Sequence, residues 1–160
     1  METQIHPADY LNTVHARAIG DLLNHYAEDP IGGGEALPLH VRERVAGELA
    51  KRTNAFSFLA FQGECAVGLV NCFEGFSTFA CQPLINVHDV VVTASARGQG
   101  ISRKLLERVE QVARVRGCCL LMLEVLEDNE SAKVAYRKAG FEQARFDARR
   151  GYMQLWCKPL

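Results

Sequence analysis

The sequence predicts a mixed α/β fold, a sheet of parallel and antiparallel strands with helices on both faces. Three features carry that prediction. Apolar residues recur at helical spacing in two early segments, Val- and Ile-rich runs come after them, and a strand, a glycine turn, a helix and a second strand succeed one another over residues 84–125. That last succession is a βαβ unit, the centre of the fold. At 160 residues the chain fits a single domain, 1–160, with enough material to bury a core.

Leu11, Val14, Ala18, Leu22 and Tyr26 place an amphipathic helix over about residues 9–27, behind Pro7, and Gly32, Gly33 and Gly34 break it. After Pro38, the stripe Val41, Val45, Ala46, Leu49 and Ala50 gives a second helix from Leu39 to about Arg52. Two strand-like runs, 56–61 and 65–73, joined by Gln62-Gly63-Glu64, read as an antiparallel hairpin. Residues 74–83 read as an aromatic loop, and 84–93 as a buried strand. Ile101, Leu105, Val109, Val112 and Ala113 carry a long helix to Gly117, which is placed to end it. Residues 118–125 read as a strand and 131–139 as a short helix stopped by Gly140. A polar turn around 145–150 precedes a final strand, 152–157.

A composition of 48% apolar and 23% charged residues with net charge −1 is that of a globular protein, and it excludes a basic nucleic-acid surface or an acidic tail. Met1 to His6 lack the basic and apolar regions of a secretion signal, and no apolar run reaches membrane-spanning length. A soluble, cytoplasmic protein without membrane or nucleic-acid partners is therefore expected. Cys65, Cys72, Cys81, Cys118, Cys119 and Cys157 lack CxxC spacing and sit mostly in apolar runs; they read as reduced core residues, and no metal is expected.

Arg97-Gly98-Gln99-Gly100-Ile101-Ser102 closes a strand and opens a helix. The first helical turn leaves backbone N–H groups unpaired at the positive end of the helix dipole, and glycine lets that backbone approach a phosphate closely. Ser102 adds a hydroxyl donor and Arg97 a charge at the rim. A glycine turn that only joins strand to helix is the competing reading. Neither dinucleotide-fold spacing nor a Gly-Lys-Ser/Thr is present, which disfavours a nucleotide-binding module.

Val90-Val91-Val92, then Arg97 through Ser102 and Leu105-Leu106, resembles the acetyl-CoA motif of the GNAT superfamily of N-acetyltransferases: Gln or Arg, two residues, Gly, one residue, then Gly or Ala. Glu124-Val125 through Asn129, Ala132 and Tyr136 to Gly140-Phe141 is similar to the family's second half-site. Ser102 departs from the pattern, standing where the family has Gly or Ala. The resemblance implies a mixed, mainly antiparallel sheet of about six to seven strands, splayed at its centre, with helices on both faces. It also implies acetyl-CoA as cosubstrate and a small-molecule or peptide amine as acceptor; homodimers are common in the family. By the same resemblance, the backbone at Val90, Val91 and Val92 pairs with the pantetheine arm and thioester oxygen. Arg97, Gly98, Gln99, Gly100, Ile101 and Ser102 hold the pyrophosphate, and Asn129, Ala132 and Tyr136 complete the cofactor site. Tyr136 matches the tyrosine that protonates the departing thiolate.

Acetyl transfer needs a neutral amine near the thioester, a group that polarises its carbonyl, and an acid for the thiolate. Tyr136, on one helix face with Ala132 and Ala139, reads as that acid or as a core tyrosine, and Asn129 as a CoA contact or a helix N-cap. For the base, regular alternation puts Asn86, His88, Val90 and Val92 on one face, and His88 falls where the polyamine-acetylating branch of the family carries a glutamate. An imidazole of pKa about 6.5 suits that role near neutral pH. Asp89 then points to the opposite face, unless a bulge reverses it; Glu124 is the third candidate. The acceptor side falls, by the resemblance, on segments 26–37 and 73–83. There the acidic, glycine-rich stretch 28–35 reads as a lid over a cationic amine or as a solvated linker, and Phe76 and Phe79 as pocket lining or core cover. An acyl-CoA-binding regulator without turnover and an acyltransferase using another acyl group are the rival readings.

Overall fold

The structure, a computed structural model, describes residues 2–147, 151–152 and 156–159. Five strands form one sheet: β1 (Thr3–Pro7), β2 (Ala55–Gln62), β3 (Cys65–Ser77), β4 (Gln82–Val92) and β5 (Leu121–Leu123), in spatial order β1-β2-β3-β4-β5. The junctions are antiparallel up to β4, and β4 pairs with β5 in parallel. The mixed, mainly antiparallel character is as expected, but the sheet has five strands among the described residues. Two short strands, β6 (Arg145–Asp147) and β7 (Gly151–Tyr152), pair separately with each other. Within the expected turn at 145–150 and final strand at 152–157, residues 148–150 and 153–155 lie outside the described residues, and 156–157 carry no regular structure.

Helices α1 (Thr13–Glu28) and α2 (Leu39–Ala50) cover one face, and α3 (Ile101–Val115) the other; α4 (Glu130–Lys138) packs beside α3. Ile19, Leu22, Ala46 and Leu49 bury against Leu59, Leu69 and Val91 on the first face. Ile101, Leu105, Leu106 and Val109 bury against Phe58, Val70, Ile85 and Val87 on the second. Helix α1 begins at Thr13 because Asn12 caps it, accepting from the amides of Val14 and His15. Leu11 and Val14 are consequently exposed, outside the stripe that their spacing implies.

The strand expected over 118–125 shortens to β5, and two further segments differ from expectation. Strand β1 has no counterpart in the sequence pattern, since only Ile5 among its polar neighbours packs on the core; its backbone pairing along β2 makes it a strand. The aromatic loop at 74–83 is mostly strand: β3 and β4 stay paired out to Ser77↔Gln82, leaving a tight turn in which Cys81 has φ 53°. Phe76 and Phe79 are exposed there and do not cover the core. Of the cysteines, all free, Cys72 is buried and Cys118 half-buried, while Cys65, Cys81, Cys119 and Cys157 are exposed rather than in the core.

Candidate active site

Strand β5 pairs with β4 only from Ile85↔Leu121 to Val87↔Leu123, whereas β4 runs on to Val92. Among the described residues, the backbone of β4 beyond Val87 is paired on its β3 side and has no strand on the other. The sheet is splayed at its parallel junction, as expected, and Val90, Val91 and Val92 lie along the open edge.

At the mouth of the opening, β4 is not a regular strand. The register passes from Asn71↔Asp89 to Cys72↔Val87, so His88 has no partner and forms a bulge. The extra residue reverses the facing of the residues after it. Val87 packs in the α3 core, yet so do Val90 and Val92, while Val91 packs under α1 and α2. The expected shared face of His88, Val90 and Val92 is therefore corrected. His88 meets Phe73 edge-on, ring centroids 5.4 Å apart, and Phe73 belongs to the α1–α2 side. Asp89, half-buried, accepts from Asn71 Nδ2 at 2.9 Å on that same side.

Tyr136, on α4, is partly buried against the α3 core, its ring 6.1 Å from that of Phe141. Burial, with the nearby Tyr26 and Asp89 adding to it, pushes its phenol up to about 12. Tyr26 of α1, Asp89 of β4 and Tyr136 of α4 are thus near enough to couple electrostatically. The sequence marks Tyr26 as the end of a helical stripe and the start of the acceptor-side segment, without a role beside Tyr136. Asn129 adopts the cap role, its Oδ1 accepting from the Ala132 amide at 3.1 Å. Glu124 lies exposed just past β5.

The turn before α3 has the geometry of an anion cradle. Gly98 and Gly100 take φ of 77° and 75°, and a Cβ at either would meet nothing within 4 Å. Gly100 is the N-cap and offers no side-chain acceptor; among the described residues, the amides of 98–103 have no hydrogen-bond acceptor. Free amides, room, and the positive end of α3's fifteen-residue dipole fit a pyrophosphate. Ile101 buries its side chain and contributes backbone, while Ser102 stands half-buried in the first turn. The Gln99 side chain is engaged with Gln62 and with the carbonyl of Ser95.

Arg97 is held as well. Its Nη2 donates to Asp29 at 2.8 Å and its Nε to the Val92 carbonyl at 3.2 Å, and the guanidinium draws the Asp29 carboxyl below its usual range. Asp29 opens a 3-10 turn, Pro30–Gly32, in the segment between α1 and α2. Buried Asn24 accepts the Leu37 amide at 2.9 Å, and His25 Nε2 accepts the Ala94 amide at 3.2 Å. The stretch read as lid or linker is thus anchored to α1 and to the cradle.

A separate groove of about 610 Å³ lies between α1 and the β2–β3 turn, lined by Thr13, Arg17, Asp21, Phe61, Glu64 and Cys65 among others; neither Asp89 nor Tyr136 borders it. Among the described residues, no cluster of three or more His, Cys, Asp and Glu side chains is placed to hold a metal, and no helix is long and apolar enough to cross a membrane.

Comparison with known proteins agrees with this geometry. The family model of the acetyltransferase (GNAT) family matches residues 19–141. The chain is 37% identical over 79 residues to a bovine (Bos taurus) thialysine N-epsilon-acetyltransferase, covering 49% of this chain and 46% of that protein. It is 35% identical over 86 residues to a streptothricin acetyltransferase of Streptomyces lavendulae, covering 52% and 46%. These matches span about half the length of the curated relatives. In fold, it superposes on an aminoglycoside acetyltransferase from an uncultured soil metagenomic sample with a TM-score of 0.76, at 18% identity over 100% of this chain and 99% of the other. The splayed βαβ centre, the amide cradle and the family match lead to one conclusion: the chain belongs to the acetyltransferase (GNAT) family.

Proposed function

We propose that this protein is an N-acetyltransferase that moves an acetyl group from acetyl-CoA to a primary amine by direct transfer within a ternary complex. The observation that carries this reading is the cradle of free amides that opens α3 beside the unpaired end of β4, with Asp89 on that strand and Tyr136 on α4 near enough to couple electrostatically. The names of the relatives, thialysine and streptothricin acetyltransferases, support an amine acceptor.

Acetyl-CoA supplies the activated acetyl thioester. The amides of Gly98 to Ser102 hold its pyrophosphate, with Arg97 at the rim, and the open edge of β4 at Val90 to Val92 pairs with its pantetheine arm and holds the carbonyl oxygen. Asp89 takes the proton of the incoming ammonium; the freed nitrogen forms the C–N bond as the C–S bond breaks, and the acetylated nitrogen then sheds its second proton, which returns through solvent to the Tyr136 oxygen. Tyr136 Oη gives its proton to the departing sulfur. Its raised pKa keeps it protonated throughout the working range, and the same desolvation makes a bare thiolate beside it costly. Asp89 is preferred to His88 because it is the more buried of the two and within electrostatic range of Tyr136.

Calorimetric titration with acetyl-CoA, then assay of free CoA release over a panel of polyamines, amino acids, aminoglycosides and peptides, tests the proposal. Binding with acceptor-dependent release is the expected result. Release that does not depend on any amine overturns the direct-transfer reading, and absence of binding overturns the cradle.

A further inference from the structure

We infer that Asn71 is the positioning residue of Asp89, held in one orientation by a hydrogen-bond chain from Tyr10 through Ser57 that crosses the sheet beneath α1 and α2. This rests on the reading of Asp89 as the base.

The sequence places Ser57 and Asn71 in the middle of apolar strands, where a polar side chain is unfavourable unless it is bonded. Both are 3% exposed, and with Asn24 they are the buried polar side chains among the described residues. Pairing aligns them across the sheet, Ser57 opposite Asn71 and Asn71 opposite Asp89. The links are short: Tyr10 Oη to Ser57 Oγ 2.8 Å, Ser57 Oγ to Asn71 Oδ1 2.6 Å, and Asn71 Nδ2 to Asp89 Oδ2 2.9 Å.

The direction of every link is set by its last member. An ionised carboxylate only accepts, so Asn71 presents its NH2 to Asp89 and its Oδ1 to Ser57. Ser57 must then donate to Oδ1, which leaves its lone pairs for the Tyr10 hydroxyl. An amide cannot pass a proton along without becoming its imidic tautomer, so the chain orients Asp89 and does not conduct. It engages Oδ2, and among the described residues Oδ1 has no hydrogen-bond partner.

The bulge leaves His88 without a cross-strand partner, and at the next residue, Asp89, the β3 side chain opposite adds its own hydrogen bond to the backbone pairing. The groups around the carboxylate are His88 beside it, Cys72 on β3, and Tyr136 on α4 with Tyr26 of α1 beyond. Burial raises the Cys72 thiol and the Tyr136 phenol, so neither changes charge where a carboxyl titrates. The Asp89 carboxyl itself is therefore the readout, beside activity.

The experiment reads the Asp89 carboxyl carbon shift by NMR at neutral pH in the free protein, and kcat and KM with an accepted amine, in wild type, Asn71→Leu, Ser57→Ala and Asp89→Asn. In Asn71→Leu the Asp89 carboxyl signal moves as its donor is lost, and kcat/KM falls about tenfold with KM for acetyl-CoA unchanged. Ser57→Ala moves both in the same direction by less, and it decides the matter if Asn71→Leu does not fold. A wild-type carboxyl signal and wild-type kcat/KM in the folded variants, with Asp89→Asn inactive, overturn this inference alone. Turnover retained in Asp89→Asn overturns the base reading, and the positioning role with it.

Discussion

Arg97 and Asp29, 68 residues apart in the chain, form an ion pair at 2.8 Å that fastens the α1–α2 connection to the turn opening α3. On the proposed reading the same guanidinium stands at the rim of the pyrophosphate cradle, so the Asp29 carboxylate and the cofactor compete for it, and this one side chain links the cradle to the segment proposed for the acceptor side.

Asp29→Asn is expected to bind acetyl-CoA more tightly, by up to about fivefold, the scale of one partly exposed ion pair. Arg97→Gln weakens binding about tenfold, since a charge-assisted contact to phosphate is lost. Calorimetry at low salt checks both; unchanged affinity in Asp29→Asn removes the competition. The sign with pH is fixed by the lowered Asp29 carboxyl. Stability from a carboxylate of depressed pKa is present above its unfolded value and lost as pH falls through the folded one, so the latch stays closed at neutral pH.

Tyr136→Phe separates acid catalysis from packing. The ring remains to fill the space against Phe141, and only the hydroxyl is lost. The expected outcome is a fall in kcat of about 100-fold with acetyl-CoA affinity within a factor of about three. Pre-steady-state CoA release and calorimetry on the same preparation make the comparison, and near-wild-type turnover removes Tyr136 from the chemistry.

The Tyr136 phenol, at about 12, predicts the alkaline behaviour. A tyrosine of ordinary pKa, about 10, would lose half its acid form at that pH. Here kcat is expected to show no decline from this group up to pH ~10.5, because it stays protonated until well above that value. The difference in tyrosinate absorbance between wild type and Tyr136→Phe should titrate with a midpoint near 12. A midpoint near 10 means the ring is not desolvated in solution.

What the sequence disclosed was what repeats or recurs locally. The 3.6-residue stripes gave α1, α2 and α3, and the Gly98-Gln99-Gly100 turn gave the cradle, because helix periodicity and glycine conformation are properties of neighbouring residues. The faces of β4 were hidden, since they depend on a bulge set by pairing with β3, and regular alternation put Val90 and Val92 on the face of His88 and Asp89 on the opposite one. Asn71 and Ser57 gave no signal as site residues, being single polar letters inside apolar strands; only the cross-strand register brings them to Asp89. Strand β1 was hidden for a related reason, its identity residing in the partner strand.

Gly20 shows a packing constraint that propensity alone gets backwards. Replacing a mid-helix glycine by alanine ordinarily stabilises by about 1 kcal/mol. At Gly20 a Cβ would overlap the carbonyl oxygen of Arg42, where α1 crosses α2. Backbone cannot yield as a side chain would, so Gly20→Ala is expected to destabilise by about 1–3 kcal/mol. Denaturant unfolding measures it, and a gain in stability would show that the two helices can part.

Gly100→Ala tests the cradle against a matched control. Gly100 and Gly117 take φ of 75° and 67°, and a Cβ at either meets nothing within 4 Å, so neither substitution clashes with the protein. Each variant should lose about 1–2 kcal/mol through the left-handed backbone alone. Their ligand behaviour should part company. The new methyl at Gly100 stands at the first turn of α3, where a pyrophosphate must approach the free amides, while Gly117 ends the helix at its far side. Acetyl-CoA affinity is expected to fall at least about tenfold in Gly100→Ala and to stay at the wild-type value in Gly117→Ala. Equal affinities in the two variants would move the phosphate site away from α3, since they share the backbone penalty and differ in position.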